Sequence, residues 1–197
     1  MVMDKRIMKK ILLNLGRVRI AQARAHLEYK YSDPFESCLY VAFQASNLGS
    51  KFADWKLADL KYRAEQAKTS VSSYVLNRRD KLSDLLRDIR ADHRNIESAI
   101  NGLIKLDLKY DLHLKRDLSD IDPEEFLQDL KKVKGLGDWL TFYLICELNR
   151  LWGLRIPKGL KLPEKYRQLL MRLGLSEEDF HLSEYPYLDM ALWDVSS

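Results

Sequence analysis

The sequence predicts an all-α protein, and three observations carry that expectation. Apolar residues recur at helical spacing in one segment after another, as in Ile96, Ile100, Leu103 and Ile104. Capping carboxylates followed by proline open segments at Asp33-Pro34 and Asp122-Pro123. No pair of alternating strands and no internal repeat interrupts the pattern. The 197 residues are 46% hydrophobic and 31% charged, which suits one globular unit and is too apolar for disorder.

The elements follow in order. Residues 4–30 read as a charged amphipathic helix, broken near Gly16. Ser32-Asp33-Pro34 starts a helix that runs to about Leu48. Its Phe35, Cys38, Leu39, Val41, Ala42 and Phe43 go nearly all round, so it is expected to be central and buried. Gly49 and Ser50 end it. Helices are expected over about 54–68, 71–77 and 80–89, then over 92–106 with Asp92 as the cap. The polar stretch 107–121 reads as a connection. Asp122-Pro123 opens the next helix, and 138–152 is again apolar nearly all round. A basic loop with Pro157 and Gly159 leads to a helix from Pro163 to Leu173, which Gly174 stops. A last short helix is expected within the acidic tail, 176–197.

Lys131-Lys132-Val133-Lys134-Gly135-Leu136-Gly137 joins two of these helices. Glycines on either side of one leucine allow a sharp turn and a close approach to another surface. The amides after Gly137 open a helix, where unpaired N–H groups and the helix dipole suit a phosphate. Lys131, Lys132 and Lys134 add positive charge beside them. The net charge of +4 is modest, but it is segregated. Residues 1–30 carry eight Lys or Arg and residues 131–172 carry ten, while residues 176–197 carry six acids and no Lys or Arg. Such segregation favours one basic face. Cys38 and Cys146 lie in apolar runs, which points to a reducing compartment and no disulfide framework. The four histidines lack metal-ligand spacing, and no metal site is expected. No apolar run is long enough to span a membrane, and the basic N-terminus lacks the apolar core of a signal peptide.

Taken in order, several segments resemble the helix-hairpin-helix DNA glycosylase superfamily, which includes endonuclease III-like and 8-oxoguanine glycosylase-like proteins. Asp33-Pro34-Phe35-Glu36 leading into Gln44-Ala45-Ser46-Asn47 is similar to that family's first core helix. Asp92-His93-Arg94-Asn95-Ile96 is similar to the next core helix, Val133–Thr141 to the hairpin, and 166–175 to the helix after the family's catalytic aspartate. The resemblance covers 33–175. It implies a two-lobed helical fold with the hairpin unit at about 123–152, and binding of double-stranded DNA through Lys131, Lys132, Lys134, Gly135 and Gly137. It also implies removal of a damaged or modified base in base-excision repair, with that base flipped into a pocket. Gln44, Ser46, Asn47 and Trp139 then fill the gap or line the pocket. Trp139 stands where bifunctional members carry a nucleophilic lysine, so no lyase chemistry is implied. The hydrolytic carboxylate falls to Asp189 or Glu164, both displaced from the family's position. No cofactor is called for. A monomer in the cytoplasm, or associated with the nucleoid, is expected. Two further readings stay open: an inactive DNA-binding module on the same scaffold, and an enzyme of modified-base metabolism.

Overall fold

The computed structural model describes residues 4–27, 31–46 and 48–196, and among them every regular element is a helix or a short 3₁₀ turn. The ten α-helices of this region are α1 (Lys5–Leu27), α2 (Pro34–Phe43), α3 (Gly49–Gln66), α4 (Val71–Leu76), α5 (Leu82–Asp88), α6 (Arg94–Tyr110), α7 (Pro123–Leu130), α8 (Asp138–Trp152), α9 (Glu164–Arg172) and α10 (Tyr185–Ser196). None of them is long and apolar enough to cross a membrane.

The core is organised around α2 and α8. All ten residues of α2 are buried, and it touches α3, α4, α6 and α8. Its start is fixed by Asp33, whose carboxylate accepts from the Glu36 amide at 2.8 Å and from the Ser72 hydroxyl at 2.7 Å. That one side chain therefore caps α2 and ties it to α4. Glu36 itself is fully buried, and Lys61 of α3 reaches it at 2.8 Å. On α8, every residue from Leu140 to Leu148 is buried. Trp152, at its end, is half-buried and donates its indole N–H to Ser37 at 3.0 Å, joining α8 to α2. α10 packs on α1, α8 and α9.

Four local expectations differ from the structure. α1 runs unbroken through Gly16. A Cβ there would penetrate the Tyr187 carbonyl, so this glycine brings α1 and α10 into backbone contact and does not break the helix. The chain after α2 passes through a 3₁₀ turn at Gln44–Ser46 and enters α3 at Gly49, earlier than the apolar spacing suggests. His93, not Asp92, caps α6: its Nδ1 accepts from the Asn95 amide at 3.2 Å. α6 then continues to Tyr110 and absorbs the start of the expected connection.

Candidate functional site

The turn between α7 and α8 is held from below and open above. Asp122 caps α7 by accepting from the Glu125 amide at 2.8 Å, and Pro123 sits in its first turn. Val133 and Leu136 are buried and root the turn in the core, while Lys131, Lys132 and Lys134 are exposed. The two glycines serve different purposes. Gly135 has φ +94°, and a Cβ there would run into the Asn95 carbonyl of α6. Both its dihedral and its packing require glycine. Gly137 has an ordinary extended backbone, φ −77° and ψ 174°, with nothing within 4 Å of a Cβ. The fold does not demand glycine there. Its absent side chain leaves clear the space before α8, whose N-terminus no side chain caps. The first-turn amides and the positive dipole end of a fifteen-residue helix face that space. Lys131 and Lys134 make no ion pair with any described residue, whereas Lys132 is held by Asp129 at 2.7 Å. Asp138, the first residue of α8, is the one acid of this first turn.

Asn95 connects the turn to a second uncapped helix. Its carbonyl backs Gly135, and its side-chain amide donates to the Ala45 carbonyl at 3.5 Å. Ala45 lies in the 3₁₀ turn that feeds α3, whose N-terminus also lacks a side-chain cap. Two long helices thus begin without caps on either side of Asn95. Of the residues expected to fill a gap in this loop, Gln44 is buried with its amide nitrogen unpartnered, and Ser46 donates to the Phe43 carbonyl at 3.2 Å. Asn47 lies outside the described residues. The residue of this loop that stands clear of the protein is Leu48, 60% exposed. In the sequence it only marks the expected end of the helix from Ser32, and no motif singles it out.

The two candidate carboxylates are not brought together. Asp189 on α10 is fully buried. It accepts from Arg150 at 2.9 Å and from the Tyr166 hydroxyl at 3.0 Å, and Arg150 also bonds Glu147 and the Pro186 carbonyl. Burial raises the Asp189 carboxyl above its ordinary range, against the downward pull of Arg150 and Tyr166. Arg150 lies about 18 Å along α8 from the start of that helix. Between them stand Trp139, stacked on Trp193 at a centroid separation of 5.2 Å, and Tyr143, tilted against Trp193 at 4.9 Å. Trp139 is therefore part of an aromatic plug, and its indole N–H is buried without an acceptor. Two more buried polar atoms in this cluster, Glu147 Oε1 and Arg150 Nε, also lack partners. Glu164 has the opposite environment. Its side chain is 62% exposed, pairs with Arg167 at 2.7 Å and accepts from Gln168 at 3.1 Å. The Glu147–Arg150 pair is the sequence signal that could have found the buried cluster, since two charges at i, i+3 inside an apolar helix need buried partners.

No group of three or more His, Cys, Asp or Glu side chains among the described residues is placed to hold a metal ion. Compared with known proteins, the chain matches no protein family, no curated protein and no solved structure.

Proposed function

We propose that this protein is a DNA-binding module of the helix-hairpin-helix kind, gripping the phosphate backbone of double-stranded DNA through the turn at 131–137. The observation that carries this reading is the division of labour between the glycines. Gly135 is consumed by the fold, while Gly137 only keeps an uncapped helix N-terminus open, a few residues after two lysines that have no counter-ion among the described residues. Backbone amides and mobile ammonium groups contact phosphates without reading bases, so the grip is independent of sequence. Leu48, on the loop that Asn95 ties to Gly135, is an exposed aliphatic of the sort that wedges between base steps.

The glycosylase-type scaffold remains part of the reading, and a binding role on it suits the carboxylates better than catalysis. Asp189 is neutralised by a buried guanidinium behind an aromatic plug, and Glu164 is an exposed first-turn residue with its own partners. A second reading, base release by Asp189, is favoured by its raised carboxyl and by the three unpartnered polar atoms around it. Reversing Lys131 and Lys134 to Glu together separates a grip at this turn from binding elsewhere. Both side chains are exposed, so the melting temperature should hold while duplex affinity falls at least tenfold. Duplex binding untouched by the double reversal would refute the proposal. Base release from damaged duplexes that disappears in Asp189→Asn would favour the second reading.

A further inference from the structure

A groove of about 570 Å³ lies between α6 and the turn that follows α7. It forms because Gly102 lets α6 close on the turn, where an added Cβ would meet Val133 Cγ1 at 2.6 Å. Its floor is apolar, made by Gly102, Leu106 and Val133. One rim is a row on α6, Asn101, Lys105 and Lys109, spaced four residues apart and spanning about 12 Å. The other rim carries Lys132 and Lys134.

The charges on these rims are not equivalent. Asp129 is clamped by Lys109 and Lys132 and accepts from the Tyr110 hydroxyl at 3.0 Å. Those bonds hold its carboxyl well below the ordinary range, so it stays ionised and neutralises that end. Lys105 and Lys134 make no ion pair with any described residue. Two uncompensated ammonium groups therefore flank an apolar floor, with the Ser98 hydroxyl and the Asn101 amide on the same lining.

We propose that this groove is a binding site for a single nucleotide unit, with its phosphate on Lys105 and Lys134 and its base against the floor of Leu106 and Val133. The volume is that of a small-ligand site and is far too small for a duplex. Lys134 belongs to both the groove and the turn, so a strand held at the α8 amides continues into the groove once it leaves the duplex. The occupant is then the first unpaired nucleotide beside a duplex end or opening. This extension rests on the proposed backbone grip; the nucleotide site itself does not.

The test compares a blunt duplex with the same duplex carrying a three-nucleotide single-stranded tail, by fluorescence anisotropy, and adds free dAMP followed by amide shifts at Asn101 and Lys105. The tailed duplex should bind more tightly than the blunt one. One added phosphate contact to a single strand makes that advantage shrink about two- to threefold between 50 and 200 mM salt. Lys105→Glu should erase the advantage and leave blunt-duplex affinity within twofold. Saturable dAMP binding that Lys105→Glu abolishes, in a protein that binds no duplex at all, would support the groove as a site for free nucleotides and sink the backbone grip. Equal affinity for tailed and blunt duplexes, with no saturable dAMP binding, would overturn the groove and leave the grip standing. Inorganic phosphate competing as well as dAMP would contradict a role for the apolar floor.

Discussion

Gly135 and Gly137 are two residues apart, and alanine at each should give opposite phenotypes. At Gly135 an added methyl meets the Asn95 carbonyl, and a φ of +94° strains any L side chain. The dihedral costs about 1–3 kcal/mol, and the obstacle is backbone, which cannot swing away. A total loss of about 3 kcal/mol lowers the melting temperature by roughly 6–12 °C for a chain of this size. At Gly137 the added methyl meets nothing within 4 Å, and φ −77° with ψ 174° is open to alanine. Stability there should change by less than about 0.5 kcal/mol. The same methyl projects into the space before the α8 amides. If those amides hold a phosphate, Gly137→Ala loses charge-assisted hydrogen bonds worth about 1.5–3 kcal/mol, a ten- to hundredfold loss of affinity. Thermal unfolding by circular dichroism gives the first quantity, and anisotropy with two duplexes of unrelated sequence gives the second. A Gly137→Ala protein that binds both duplexes like wild type would refute the reasoning. So would a loss confined to one sequence, because phosphates carry none.

Three further predictions concern buried and terminal charge. Asp138→Asn removes the one acid from the first turn of α8 and should strengthen duplex binding two- to fivefold at low salt, an effect that fades by 0.5 M, as anisotropy would show. For the buried cluster, a raised Asp189 carboxyl means that its contribution to stability is present below its unfolded value of 3.8 and lost as pH rises through the folded value. Wild type therefore loses stability on leaving acid through this group and Asp189→Asn does not, so the variant gains relative to wild type between pH 4 and neutrality. A variant that instead falls behind over that window would show that the Arg150 pairing outweighs burial. Arg150→Met leaves two buried carboxylates uncompensated and should cost about 3–5 kcal/mol, readable as a lowered midpoint in urea.

Helix starts and the turn were readable in the sequence because their causes are local. Asp33 and Asp122 cap the helices their positions announce, and Gly135 takes the left-handed conformation that a glycine at a helix-to-helix turn suggests. Gly16 shows the limit. A glycine inside a charged helix signals a break by propensity, and only the approach of Tyr187, far along the chain, reveals it as a packing contact. The candidate carboxylates were harder still. Asp189 follows Arg150 by 39 positions, and nothing in the spacing tells that they meet in the core. The groove lysines of α6 stand at visible helical spacing, but which face of α6 meets the turn depends on Gly102 closing on Val133. Leu48 is not singled out by any motif: hydrophobicity predicts burial on average, and an exposed leucine departs from the average.

The central claim is a backbone grip through cations that have no partner in the protein, and the dependence of duplex affinity on salt tests it most directly. If Lys131 and Lys134 each neutralise one phosphate, log affinity against log salt should fall with a slope of about −1.8. Between 50 and 200 mM salt that is roughly a twelvefold loss, the same for unrelated sequences. An affinity that stays flat across this range, or a slope that survives reversal of both lysines, would contradict the account.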